Sequence, residues 1–298
     1  MNADASEAER QEGDEARVTR RVPFDRSSLD PYRVTSPPSL TDQLRAVIQQ
    51  YSERNTLRLC RKGKLIIRAD GSSYRLPCGN RWSCPLCSPA RLADDQARIE
   101  RALQASSAVV FLTFTVAKEE SFPASRWLSP ILETWSAAFS TGSWMKRFRL
   151  RTGMTGWVRS IEMTLEHGGV HAHIHAAFTF GSRPPESAME ELIDHWVIAA
   201  ERSGHRASRH GQQWKRAAPG PDRTRVAFYI CEQNAIRQSR PGKGRTPGDV
   251  LHSVAVTGDA DDLELLLRFH EAVFRKQKIS TSRGFWEIGD AQPVRRAN

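Results

Sequence analysis

The stretch Val170-His171-Ala172-His173-Ile174-His175-Ala176-Ala177-Phe178 alternates apolar and imidazole side chains over its first six residues. In a β-strand successive side chains point to opposite faces of the sheet. Val170, Ala172, Ile174, Ala176 and Phe178 then form one apolar face and belong in a core. His171, His173 and His175 line the other face, spaced roughly 7 Å apart. Imidazole is the commonest metal ligand, and two neutral imidazoles leave the charge of a divalent ion uncancelled. A carboxylate on an adjacent strand would offset it, and Glu162 is available across a short hairpin. The competing interpretation is a polar surface strand with chance histidines.

Outward from this strand the chain alternates helical and extended patterns. Trp157–Leu165 and Val170–Phe180 read as two strands joined by Glu166-His167-Gly168-Gly169, a hairpin signal. Upstream, Val109–Val116 is β-branched and aromatic and short enough for a buried strand. Helical spacing predicts Thr41–Arg54, with Leu44, Val47, Ile48 and Tyr51 on one stripe, then Leu128–Phe139, Glu186–Arg202, Val226–Ile236 and Asp261–Lys276. A further helix follows the cysteines, with Ser88 as N-cap, Pro89 at the first helical position and Asp94 and Asp95 near its start. Gln238–Asp249 reads as a basic loop and Gly284–Ile288 as a last short strand. The expected organisation is a disordered tail (1–40), a helix with a Cys-rich segment (41–105), a core (106–236), the basic loop (237–250) and a C-terminal helix and strand (251–298) that completes the domain. Together these predict an α+β fold.

Cys78-x5-Cys84-Pro85-Leu86-Cys87 is the second chemical signal. The two-residue spacing of Cys84 and Cys87 makes a knuckle that places both thiolates on one ion. Cys78 is a natural third ligand and Cys60 a fourth, beyond the extended Lys64–Arg68 stretch. A thiolate set favours zinc in a closed structural site. Cys231 stands apart and reads as a buried thiol.

The 298 residues carry 44 Lys+Arg against 34 Asp+Glu, a net charge of +10 with pI about 9.8. That balance favours a polyanionic partner such as nucleic acid. Basic residues interleave with aromatics in two clusters: Trp144, Lys146, Arg147, Phe148, Arg149 and Arg151, then Arg206, Arg209, Trp214, Lys215 and Arg216. Cations neutralise phosphates while aromatic faces stack unpaired bases; solvated charged faces are the plainer alternative. The longest apolar run, 108–117, is interrupted by Thr113 and Thr115 and falls short of the roughly 20 residues of a membrane helix. The first residues lack an apolar signal core, so the expectation is a cytoplasmic protein with no membrane partner. In a reducing compartment its cysteines serve as metal ligands or free thiols.

A His-hydrophobic-His triplet, here His173-Ile174-His175, marks the HUH endonucleases, which comprise rolling-circle replication initiators, relaxases and some transposases. The extended His-x-His-x-His form behind a Glu-bearing strand resembles plasmid rolling-circle Rep proteins in particular. Phe111-Leu112-Thr113-Phe114-Thr115 is similar to their first motif. Tyr229, in Ala227-Phe228-Tyr229-Ile230, is similar to the tyrosine of their third. The resemblance spans Phe111 to Glu232, about two fifths of the chain, and a Cys-rich segment ahead of the core recurs in such proteins.

The resemblance implies a central antiparallel sheet flanked by helices. It also implies a catalytic Mg²⁺ or Mn²⁺ on His173, His175 and Glu162 with His171 beside it, and Tyr229 as nucleophile forming a 5′-phosphotyrosine. Single-stranded or cruciform origin DNA would be the substrate, with host helicase and polymerase as partners. Arg225 and Glu232 fall at i−4 and i+3 from Tyr229, on its own helix face. Arg225 would hold a phosphate or lower the phenol pKa. Many relatives carry lysine where this chain has Glu232; a carboxylate there would activate water to end the cycle, or be a solvated helix residue. Lys146, Arg147, Arg149, Trp214 and Lys215 are the further DNA-binding candidates. The alternative for Tyr229 is a core tyrosine. The alternatives for the chain are a relaxase or transposase with the same site, a non-catalytic zinc-binding DNA-recognition protein, or a small-molecule metallohydrolase, whose basic loop would stand idle.

Overall fold

The structure, a computed structural model, describes residues 39–52, 55–62, 65–118, 122–139, 142–166, 169–232 and 244–290. The tail expected over 1–40 lies outside the described residues except for its last two positions. In chain order the elements are α1 (Leu40–Tyr51), α2 (Asn55–Arg58), β1 (Leu65–Ile67), β2 (Ser73–Arg75), α3 (Cys87–Ala105), β3 (Ala108–Thr115), α4 (Ser129–Phe139), α5 (Ser143–Thr152), β4 (Met154–Glu166), β5 (Gly169–Phe180), α6 (Glu186–Arg202), β6 (Gln213–Ala217), α7 (Pro221–Cys231), α8 (Pro247–Thr257), α9 (Ala260–Ala272), β7 (Ile279–Thr281) and α10 (Phe285–Asp290). The α+β architecture is as expected: a five-stranded antiparallel sheet of order β6-β3-β5-β4-β7, flanked by helices. β1 and β2 form a separate two-stranded hairpin.

The alternation in β5 decides what covers each face. On the apolar side Phe114, Ile174, Phe178 and Phe180 are fully buried under α4 and α6. There Phe114 lies 4.7 Å from the Trp196 ring, 5.4 Å from Phe139 and 6.2 Å from Trp135. Each such burial contributes roughly 1.5–3 kcal/mol, so this one face outweighs any single polar contact in the chain.

The histidine face is covered over only part of its extent. Val109, Phe111, Val158, Ala177 and Ala217 pack with Leu92, Ile99 and Leu103 of α3, Val226, Ala227 and Ile230 of α7, and Phe285 of α10. Beyond Ala177 that core stops and the histidines begin.

Arg223 fixes the two helices of this layer. It is 2% exposed, and it donates to the carbonyls of Leu103 (2.8 Å), Gln104 (3.2 Å), Ser106 (2.6 Å) and Ser107 (3.2 Å). The last carbonyls of a helix lack intrahelical partners and attract a cation, so Arg223 caps α3 while belonging to α7. Gln104 adds bonds to both the N–H and the carbonyl of Gly220, and Thr224 Oγ1 donates to Glu100 at 2.6 Å. Gly220 makes the turn into α7 at φ +79, a backbone angle that favours glycine.

Several expectations are corrected. Ser88 is not an N-cap: α3 begins at Cys87, and the Ser88 hydroxyl donates to the Arg81 carbonyl at 2.8 Å. The last strand is Ile279–Thr281, and of Gly284–Ile288 only Gly284 is in a turn, the rest belonging to α10. Aromatic and β-branched residues suggest a strand there, but Phe285 and Ile288 meet the core at a helical i, i+3 spacing. The helix expected over Val226–Ile236 starts earlier, with Pro221 in its first turn, and ends at Cys231; positions 233–243 lie outside the described residues. The basic stretch is not all loop, because Pro247 opens α8 behind a Thr246–Asp249 capping box. The helix expected over Asp261–Lys276 is α9 and ends at Ala272.

Candidate functional site

Where the histidine face is uncovered, the sheet floors a cleft of about 1350 Å³, walled on one side by α7. Thr113, Ser160, Glu162, Thr164, His173, His175, Gln213 and Lys215 line it from the strands. Register explains the grouping: His173 pairs with Glu162 on β4 and Thr115 on β3, and His175 with Ser160 and Thr113. All of these side chains point to one face.

His175 is held on both ring nitrogens. Its Nδ1 lies 3.1 Å from Thr113 Oγ1, Nε2 meets Glu162 Oε2, and its ring stacks on Phe111 at 5.6 Å. His171 Nε2 is 3.3 Å from Thr115 Oγ1, and its ring centroid is 4.3 Å from that of His173. His173 differs from both. Its Nδ1 is buried without a hydrogen-bond partner, and burial, with the neighbouring His171 charge, pushes its pKa down to about 4. It is therefore a neutral imidazole with an unused nitrogen at neutral pH, the form a metal ion binds.

Burial works to raise the Glu162 pKa, but the hydrogen bond to His175, with the charge of that ring and the pull of Lys278, leaves it below the usual carboxylate range. The histidine set is not closed. The rings of His173 and His175 are 6.4 Å apart and Glu162 lies on His175. A cation shared by all three would displace Glu162 from that contact.

Tyr229 stands on α7 and is 42% exposed, which removes the core-tyrosine alternative. Its ring sits 6.3 Å from Phe111 with Lys215 Nζ 5.5 Å away, and it lines the cleft with Arg225 and Glu232. Arg225 pairs with Asp222 at 3.3 Å. Lys146, Arg147 and Arg149 are elsewhere, on α5, and line no part of the cleft. Trp214 is also outside it, donating to Glu190 at 3.0 Å.

One cleft residue has no signal in the sequence. Lys278, 3% exposed, reaches the cleft floor, where burial pushes its pKa down to about 7 against the opposing pull of Cys231 and Glu162.

The four cysteines named from the sequence come together, Cys60 included. Cys60, Cys78, Cys84 and Cys87 bring their sulfurs within 4.8 Å of one another, a group that could hold a metal ion. Among the described residues no other set of three or more ligating side chains does so. Cys60 Sγ is 3.4 Å from Cys87 Sγ and 3.6 Å from Cys84 Sγ, and all four are free thiols. Backbone N–H groups of Cys78, Asn80 and Cys87 point at the sulfurs of Cys60, Cys78 and Cys84 at 3.3–3.4 Å. The Cys78 hydrogen bond draws the Cys84 thiol down to about 5, whereas burial pushes Cys60 up to about 11. Arg81–Asp95 and Trp82 Nε1 to the Lys276 carbonyl (2.9 Å) tie the cluster to α3 and to the turn before β7. Cys231 is buried apart from it, its thiol raised to about 12 by burial.

Among the described residues no helix is long and apolar enough to cross a membrane. No protein-family model, curated protein or solved structure matches the chain.

Proposed function

We propose that the chain is a metal-dependent nickase of single-stranded DNA that initiates rolling-circle replication of a plasmid, with Tyr229 as its nucleophile. The observation that carries this reading is the meeting, in one cleft, of an exposed tyrosine with a histidine–glutamate strand face and the cations Lys215 and Arg225. His173, His175 and Glu162 would hold Mg²⁺ or Mn²⁺, with His171 beside them. The unpartnered nitrogen of neutral His173 supports that fit. When bound, such an ion polarises a scissile phosphate and neutralises charge on it. Lys215 and Arg225 bind flanking phosphates. The Tyr229 oxygen bonds to phosphorus and its proton is released. The P–O3′ bond breaks, and the leaving oxygen takes up a proton to give a free 3′-OH, which a host polymerase extends once helicase opens the duplex. Glu232, on the same wall, activates water at the end of the cycle.

The four-cysteine group is assigned zinc on its thiolate chemistry. Four sulfurs about 2.3 Å from one ion lie about 3.8 Å apart at the edges of a tetrahedron, close to the separations of 3.4 and 3.6 Å. Metal analysis of purified protein is expected to find one zinc. Cys84→Ser should lose it and lower the thermal transition by on the order of 10 °C, because a structural metal contributes folding energy. A zinc-free protein with an unchanged transition would refute the assignment.

The closed cysteine group beside an open histidine set favours a second reading, zinc-dependent DNA recognition without cleavage. One experiment separates the two. Incubation with a single-stranded origin oligonucleotide and Mg²⁺ or Mn²⁺, followed by a denaturing gel, is expected to show a covalent protein–DNA adduct. Binding without adduct would favour recognition alone.

A further inference from the structure

A second recess, of about 560 Å³, opens between the cysteine cluster and the end of the sheet. Three separate parts of the chain wall it: the loop carrying Arg81, the flank of α3 at Arg98, and the turn Arg275-Lys276-Gln277-Lys278 between α9 and β7. Five basic side chains line it, Arg81, Arg98, Arg275, Lys276 and Lys278, against the single carboxylate of Asp95 among the described lining residues. Asp95 is already engaged by Arg81, through Nη2 at 3.1 Å and through Nε. The other four make no ion pair among the described residues. Gathering like charges without counter-charge costs free energy, which an anionic ligand would return.

Three details separate this recess from a merely basic surface. Arg98 lies 4.2 Å over the Trp286 ring, so its guanidinium face is fixed and its N–H edge stays free for a planar or tetrahedral anion. Arg275 holds φ +54, one of two non-glycine residues in the left-handed region among those described. Side chains other than glycine are strained there, so the turn keeps an arginine where the backbone favours glycine. Lys278, 3% exposed, lines both this recess and the cleft. One buried lysine side chain therefore stands between the two.

We propose that this recess binds the phosphodiester backbone of a single DNA strand that continues from the cleft past Lys278, an inference that rests on the single-strand reading of the cleft but not on its chemistry. Arg98, Arg275 and Lys276 would contact successive phosphates, and the strand would cross the junction between the cysteine module and the sheet.

The test uses the full chain carrying Tyr229→Phe, so that no cleavage intervenes, and a fluorescein-labelled single-stranded oligonucleotide without added divalent ion. Anisotropy titrations across a range of salt concentrations compare this protein with one also carrying Arg98→Ala, Arg275→Gly and Lys276→Ala. A control removes the same charge with Arg126→Ala, Arg183→Ala and Arg202→Ala, exposed positions that line neither recess. The recess variant is expected to bind about tenfold or more weakly near 0.1 M salt, with its log–log salt slope shallower by about 2, as for three lost single-strand phosphate contacts. The control is expected to stay within about twofold. Arg275→Gly alone should keep or raise Tm while weakening binding, an outcome a purely structural arginine would not give. Equal losses in both triple variants, or none in the recess variant, overturn the proposal. Weakened binding by the recess variant, in a chain whose Tyr229 form makes no adduct, would leave the recess standing and refute the nickase reading.

Discussion

Tyr229→Phe is expected to abolish the covalent protein–DNA adduct and to lower nicking by at least ~10³-fold, the scale of losing a nucleophile. The substitution removes one oxygen and keeps the ring that rests on Phe111. Since that ring is 42% exposed, stability should change by less than about 0.5 kcal/mol. Oligonucleotide affinity should stay within a few-fold, because Lys215 and Arg225 are untouched. The measurement is a denaturing gel for adduct beside an anisotropy titration for binding. Adduct from the phenylalanine variant would remove Tyr229 from the mechanism and direct attention to Tyr51 and Tyr74.

Replacing His173 and His175 together by alanine should likewise eliminate nicking at millimolar Mg²⁺ or Mn²⁺ while DNA binding persists. Phosphate contacts supply most non-specific affinity, and these imidazoles are not among them. The exchange also takes away the His175 contact that holds Glu162 in place. Glu162→Gln is the complementary variant: it keeps shape, removes charge, and should raise the metal concentration needed for half-maximal nicking by about 10²-fold. The zinc content should be the same in all three proteins, since the cysteine group shares no residue with the cleft. Undiminished nicking by the double alanine variant would refute the metal assignment.

How much of this is legible in the sequence depends on whether a pattern is local. The period-2 alternation of Val170–Phe180 specifies the strand, its two faces and, through the hairpin, the position of Glu162 opposite His173. The spacing of Cys84 and Cys87 foretells the knuckle. β6 is not legible, because Gln213-Trp214-Lys215-Arg216 sends its polar members both into the cleft and away from it and so shows no apolar face. α5 reads as a charge cluster in the sequence. Its buried residues are only Met145, Phe148 and Thr152, too few to outweigh the basic residues between them. Lys278 is out of reach altogether. Nothing near it marks a buried lysine, and only the return of the chain through β7 to the edge of β4 carries it under Glu162. Sequence proximity likewise groups Trp214 with Lys215, although adjacent strand residues face opposite sides.

The divided histidine face has a consequence for errors made during folding. Ala177 in the packed half and His175 in the open half stand two residues apart on the same side of β5. A slip of β5 by one residue would turn three imidazoles toward Trp196, Phe114 and Phe139, expose Ile174 to the open cleft and force Phe178 into the space that Ala177 fills. Three buried imidazoles without partners, at roughly 1–3 kcal/mol each, with the lost Ile174 burial and the overpacking by Phe178, would cost an amount comparable to a domain's usual margin of about 5–15 kcal/mol. Core and candidate site are two readings of one strand, so a chain that packs at all has already passed a proofreading step on the placement of its histidines.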